Sequence, residues 1–288
     1  MLFIFNPRAG KCKAAKVLPQ ILAEFAAAGY DVHVHETTGP GDGKQAVIEL
    51  GAGKDLIVCC GGDGTFNEAV SGVITAGLNI PIGYIPAGST NDFAQSLGLP
   101  AKPLEAAKQI LSGVANAYDV GVFQDRQFTY VASFGAFTRA SYATSQKLKN
   151  RLGHFAYILS GVGELFRIHS EQMRFVLEDG EVLEGKYIFG AISNSTSLGG
   201  VMKLDPKQVD MRDGLFEVML IRPPKHIGEL FRCVWALLRK KHNCDMITFR
   251  KTARLWVESE KALSWSLDGE EAMGPMQLQI QTSTVACG

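Results

Sequence analysis

Hydrophobic and polar positions follow two different rhythms along the chain. In the first third, short apolar runs at residues 2–5, 32–35, 56–60 and 80–85 alternate with helically spaced stretches at 14–28, 46–50 and 66–75. The run at 56–60, Leu-Ile-Val-Cys-Cys, is apolar at every position, as a strand buried on both faces of a parallel sheet requires. Glycine-bearing polar segments stand where the strands should end, the edge at which open α/β sheets hold ligands. After about residue 118 strand patterns follow one another directly: 118–123, 127–134, 173–177, 186–193, 215–221, 246–249, 254–258 and 276–281. Helical spacing interrupts them at about 145–167 and 225–241. Strands without intervening helices predict antiparallel pairing.

The expected fold is an α/β N-terminal nucleotide-binding domain, Rossmann-like with a parallel sheet, over residues 1–118. A β-rich antiparallel second domain over 119–288 completes the active-site cleft, and its last strand is free to pack back on the first domain. At 288 residues the chain is long enough for two domains. Its 29 basic and 29 acidic residues cancel, so no global field favours nucleic acid, and any anion site must be local. The first apolar run is too short for a signal peptide, and none reaches the roughly 18–20 residues of a membrane span. Six cysteines without CxxC spacing read as reduced thiols of a cytoplasmic chain.

The segment Gly61-Gly62-Asp63-Gly64-Thr65 is the strongest chemical signal. A strand that ends in glycines and opens into a helix presents backbone N–H groups and a positive helix end to an anion. Asp63 offers a carboxylate to Mg²⁺, or to a ribose or substrate hydroxyl, and Thr65 a hydroxyl donor. A tight turn would explain one glycine pair, but not the whole segment. Asn6-Pro7-Arg8-Ala9-Gly10, with Lys11 following, and the stretch 86–94, with Ser89, Thr90, Asn91 and Asp92, sit at two further strand ends. Three such ends on one sheet make a phosphate site. Asp268-Gly269-Glu270 reads alone as a hairpin turn. His33 and His35 share a strand face without a third ligand, so no metal is assigned there. Ile227, Leu230, Phe231, Val234 and Leu238 form a helical stripe ending in Arg239-Lys240-Lys241-His242; core packing is the ordinary reading and contact with an anionic membrane the other.

In order and spacing, "NPRAG", "GGDGTFNE", "PAGSTNDFA", "YDVG" (118–121), "SNS" (193–195) and "LDGE" resemble the bacterial diacylglycerol kinase-like lipid kinases. Their wider superfamily includes sphingosine and NAD kinases. The resemblance implies an ATP- and Mg²⁺-dependent lipid kinase that meets its lipid at the membrane surface without spanning it, with diacylglycerol the leading substrate. It implies ATP contacts at Asn6, Pro7, Arg8, Ala9, Gly10, Thr37, Gly62, Asp63, Gly64, Thr65, Phe66, Asn67, Glu68 and Ser89. It also implies a catalytic base from Asp268 or Glu270, with Glu270 the family's usual assignment. Asp63 and Asp119 are candidate Mg²⁺ partners, Asp119 through water. A structural Mg²⁺ is expected near Leu204-Asp205-Pro206-Lys207, where Lys207 replaces the family's acidic ligand and Asp205 or Asp210 would have to substitute. An NAD kinase and a silent nucleotide-binding regulator of the same fold are the rival readings, and a homodimer is compatible with all three.

Overall fold

The computed structural model describes residues 1–10, 13–135, 169–195, 197–198, 202–203, 209–239 and 244–287. The first domain runs β1 (Leu2–Phe5), α1 (Lys13–Ala27), β2 (His33–Glu36), α2 (Asp42–Leu50), β3 (Ile57–Gly61), α3 (Asp63–Thr75), β4 (Ile82–Pro86), α4 (Asp92–Ser96) and α5 (Pro103–Ser112). Its four strands lie parallel in the order β2-β1-β3-β4. The uniformly apolar strands β1, β3 and β4 are buried along their whole length. Alternate residues serve opposite layers. Phe3 and Phe5 join Ile21, Phe25 and Ala107 of α1 and α5, while Leu2 and Ile4 join Val47, Phe66 and Val70 of α2 and α3.

The rest of the chain contributes β5 (Asn116–Phe123), β6 (Arg126–Phe128), β7 (Val131–Gly135), β8 (Glu171–Leu177), β9 (Val182–Tyr187), β10 (Phe189–Ser193), β11 (Ser197–Leu198), β12 (Met202–Lys203), β13 (Phe216–Ile221), α6 (Ile227–Leu238), β14 (Ile247–Thr252), β15 (Arg254–Ser259), β16 (Leu263–Leu267), β17 (Glu270–Gly274) and β18 (Gln277–Cys287). One sheet, β14-β13-β10-β7-β16-β17, is antiparallel throughout. It faces β5, β6, β8, β9, β15 and β18, which are antiparallel among themselves, to form a β-sandwich. Trp265 fills the space between the sheets, its ring 4.9 Å from Phe134 and 5.2 Å from Phe123. The last strand ties the halves together. Cys287 of β18 pairs in parallel with Ile82 of β4, so the parallel sheet runs on into the sandwich without an edge between them.

The α/β and antiparallel halves match the sequence reading, and the differences lie at particular breaks. The apolar pattern at 127–134 predicts one strand, but the chain breaks at Thr129 and Tyr130 because their amides turn to the Asp268 carboxylate. The pattern at 186–193 likewise divides, since β9 belongs to one sheet and β10 to the other. Helix α3 starts at Asp63, inside the glycine segment, three residues before its apolar spacing begins. Helices α4 and α5 are additional to the sequence reading. The helix expected at 145–167 lies outside the described residues.

Candidate active site

The carboxyl ends of β1, β2, β3 and β4 and the start of β17 surround a cleft of about 330 Å³. Its walls are Asn6, Arg8, Ala9 and Gly10 after β1, Thr37 to Pro40 after β2, Gly62, Gly64, Thr65 and Glu68 after β3, Gly88 after β4, and Glu270. Side-chain hydrogen bonds fix these loops to one another. Asn6 Nδ2 donates to Thr65 Oγ1 at 2.9 Å, while Asn6 Oδ1 accepts the Arg8 amide at 3.0 Å. The β1 and β3 loops are thereby coupled. The β3 and β4 loops touch through glycines: a Cβ on Gly88 would sit 2.6 Å from Gly62 Cα, so only an unsubstituted backbone permits the approach. No side chain caps the N-terminus of α3, which leaves its first-turn amides for an anion in the cleft. Arg8 adds an exposed cation at the rim.

Glu68, in the cleft wall, ties the β2 loop to α3. Its two carboxylate oxygens accept the amides of Gly41 at 2.7 Å and Gly43 at 2.9 Å, capping α2 from the neighbouring helix. Asp42 completes the loop by accepting from the Thr38 amide and hydroxyl at 2.7 and 2.9 Å and pairing with His35 Nε2 at 3.2 Å. The Thr38 hydrogen bonds hold the Asp42 carboxyl below its usual range, with His35 adding to the effect.

Three acids near the cleft have sharply different surroundings. Asp63 turns to α4 and accepts the amides of Asp92 at 3.1 Å and Phe93 at 3.2 Å. Burial pushes its carboxyl up to about 6, against the pull of those two amides. Asp268 is enclosed. It accepts from the Thr129 amide (2.5 Å) and hydroxyl (2.8 Å), the Tyr130 and Val131 amides (both 3.0 Å) and Asn67 Nδ2 (2.9 Å). Burial raises its carboxyl and the Thr129, Val131 and Tyr130 donors oppose the rise. Its φ of +50° gives the left-handed turn that aims the next acid back across the cleft. That acid is Glu270. Its side chain is 68% exposed, with Arg126 Nη2 3.2 Å from Oε2. Its Oε1 lies 3.8 Å from where a Gly64 Cβ would be, so the carboxylate faces the glycine-rich start of α3.

The cleft thus gathers Asn6, Arg8, Ala9, Gly10, Thr37, Gly62, Gly64, Thr65, Glu68 and Glu270 from the sequence-derived set. Pro7, Asp63, Phe66, Asn67, Ser89 and Asp268 lie beside it without lining it. Phe66 is core, stacked on Tyr84 at 4.4 Å and Phe93 at 4.8 Å. Asp119 does not line the cleft either; it is buried, and its Oδ2 accepts the Gly214 amide at 2.7 Å. Leu204 and Asp205 lie outside the described residues, and Asp210 accepts the Arg212 amide at 3.1 Å. Among the described residues no cluster of His, Cys, Asp and Glu is arranged to hold a metal on its own. Sequence reasoning passed over Gly88, Thr38, Gly39, Pro40 and Arg126. Gly88 sits in the quoted "PAGSTNDFA" and Thr38, Gly39 and Pro40 directly follow Thr37, whereas nothing in the sequence marks Arg126.

Residues 1–123 match the family model of the diacylglycerol kinase catalytic domain, and residues 131–286 match the YegS C-terminal NAD kinase beta sandwich-like domain. A diacylglycerol kinase of Bacillus subtilis (strain 168) is 34% identical over 270 residues, covering 93% of this chain and 88% of that protein. The chain belongs to the diacylglycerol kinase family. Within it, the diacylglycerol kinase of Staphylococcus carnosus (strain TM300) is 30% identical over 93% of this chain and 87% of its own length. A diacylglycerol kinase crystal structure from Bacillus anthracis (strain Sterne) superposes with a TM-score of 0.79 at 25% identity, covering 99% of this chain and 95% of that one. A kinase family implies ATP as phosphoryl donor, in keeping with a glycine-rich cleft at the strand ends.

Proposed function

We propose that the chain transfers the γ-phosphoryl group of ATP to the hydroxyl of diacylglycerol, giving phosphatidic acid, with Glu270 as the general base. The observation that carries this reading is the opposite placement of two neighbouring acids. The Asp268 carboxylate is filled by five donors, whereas Glu270 is exposed and faces the start of α3.

Phosphoryl transfer asks mainly for positioning and charge neutralisation. The first-turn amides of α3 and the Gly88 and Asn6–Gly10 loops hold the phosphates, and Arg8 offsets their charge at the rim. Glu270 takes the proton from the lipid hydroxyl as that oxygen bonds to the γ-phosphorus and the bridging bond to ADP breaks. Arg126 pairs with Glu270 and orients it. Thr129, Tyr130, Val131 and Asn67 position it indirectly, by fixing the Asp268 turn. The donor set fits Mg²⁺ chiefly through the phosphates themselves, with Glu270 the cleft-lining carboxylate that has no backbone amide to cap. When bound, Mg²⁺ neutralises charge on the transferring group. Asp63 supports the site from behind by fixing α4.

Diacylglycerol is held in a bilayer, so the lipid would be met at a membrane surface; among the described residues no helix is long and apolar enough to cross one. The test is transfer from radiolabelled ATP to a panel of diacylglycerol, sphingosine, other lipid alcohols and NAD, with Mg²⁺ present and absent. Mg²⁺-dependent labelling of diacylglycerol is expected. Labelling of NAD alone would make the chain an NAD kinase, and no labelling at all would make it a nucleotide-binding regulator.

A further inference from the structure

Helix α6 shows opposite faces to the protein and to the surroundings. Leu230 and Cys233 are buried, and Leu237 packs beside them against the core. Its other face carries Ile227, Phe231 and Trp235, which are 55, 51 and 58% exposed. Spacings of four and eight residues place these three on one stripe, about 12 Å long at the α-helical rise. An outward-facing isoleucine, phenylalanine and tryptophan in line is a cost in water unless something covers them.

The charges around the stripe have one sign. Arg239 lies over the Trp235 ring at 3.6 Å, and Arg232 and Lys225 are exposed on or beside the helix. The sequence continues with Lys240 and Lys241. The one acid of the helix, Glu229, points inward: it accepts from the Lys225 amide at 2.8 Å and is paired with Arg222. The chain as a whole is neutral, so this basic neighbourhood is local.

We propose that α6 docks the enzyme on anionic bilayers, with Ile227, Phe231 and Trp235 entering the lipid interface and Arg232 and Arg239 meeting the head groups. Aromatic and aliphatic residues rimmed by cations are the pattern of a helix lying in the plane of an interface. Charge decides against a second copy of the chain. A two-fold contact through this face would set the same arginines against one another, whereas anionic lipid neutralises them. The proposal rests on the lipid-kinase reading, which requires contact with a membrane-held substrate.

Vesicles of phosphatidylcholine with and without about one third phosphatidylglycerol, some carrying brominated acyl chains, test it on the full chain. Wild type should bind the anionic vesicles, and brominated lipid should quench its tryptophan emission. Trp235→Phe should abolish the quenching and Trp256→Phe should leave it. Phe231→Ser/Trp235→Ser and, separately, Arg232→Glu/Arg239→Glu should each weaken partitioning by at least about tenfold. A water-soluble short-chain diacylglycerol distinguishes the two readings. Variants that lose vesicle binding but phosphorylate it at the wild-type rate support both. Wild-type vesicle binding by the α6 variants overturns the docking role while leaving the lipid-kinase reading standing. Vesicle binding through α6 without phosphorylation of any lipid leaves the docking role standing and removes the kinase reading. If the α6 variants instead convert a dimer to a monomer in size-exclusion chromatography and still bind vesicles, the stripe is a subunit contact and the proposal fails.

Discussion

Replacing Asp268 by Asn should unfold the enzyme far more readily than it impairs the chemistry of the molecules that stay folded. In the native structure Oδ1 accepts the amides of Tyr130 and Val131, and Oδ2 accepts the amide and hydroxyl of Thr129 and the side-chain amide of Asn67. Asn offers one acceptor oxygen and puts an NH₂ in the other place. In its better orientation at least two native donors then face a donor. At about 1–3 kcal/mol for each buried group left without a partner, the loss is roughly 2–6 kcal/mol. That is a large share of the ~5–15 kcal/mol that holds a typical domain together. Backbone strain adds nothing, because Asn tolerates the left-handed φ of +50° as well as Asp does.

Glu270→Gln makes the opposite prediction. The side chain is exposed and its ion pair with Arg126 is of the surface kind, so stability should stay within about 0.5 kcal/mol of wild type. Turnover should fall roughly a hundredfold or more, the usual scale for losing a general base. Urea unfolding followed by tryptophan emission, with kcat measured on the folded fraction, separates the two effects. Wild-type stability of Asp268→Asn combined with lost turnover would refute the reasoning and move the chemistry to Asp268.

Other substitutions probe the supports of the cleft. Gly88→Ala drives a methyl to 2.6 Å from Gly62 Cα and 2.7 Å from Asn91 Oδ1; it should raise the KM for ATP at least tenfold and cost about 1–3 kcal/mol of stability. Glu68→Gln keeps one of the two caps on the α2 loop, and should raise the KM for ATP several-fold with kcat largely retained, as steady-state kinetics would show. Glu217 is buried beside Lys251, whose Nζ is 3.1 Å away, and burial pushes its carboxyl up to about 7 despite that cation. Because the folded state then holds the proton more tightly than the unfolded one, this group's contribution to stability falls as pH rises from about 4.5 to about 7. Glu217→Gln should remove roughly 1–3 kcal/mol of the difference between pH 5 and pH 8 in urea titrations.

What the sequence conveyed and what it hid follow from the range of the interactions. Strands β1, β3 and β4 were legible because burial on both faces makes every residue apolar, a purely local signature. The break between β6 and β7 was not, since its cause is a carboxylate 139 residues away from Thr129 in sequence. The polar stretch of β18 beyond the strand pattern at 276–281, Thr282 to Thr284, carries no apolar signal yet pairs residue for residue with β5. Its strand character comes from its neighbour, not from its own pattern. In the site, the glycines after β3 announced a close approach to the backbone. The jobs of the acids beside them were illegible. Asp63 and Glu68 have the composition of ligands, and the structure engages both in capping α4 and α2. Asp268 and Glu270, two residues apart, differ in surroundings that nothing local in the sequence shows.

The most direct test of the central claim is single-turnover transfer of labelled phosphate from ATP to diacylglycerol in mixed micelles, comparing wild type with Glu270→Gln at saturating ATP and Mg²⁺. Rapid Mg²⁺-dependent labelling by wild type, slowed roughly a hundredfold in the variant with ATP affinity unchanged, is the predicted result. Equal rates for the two proteins would contradict it.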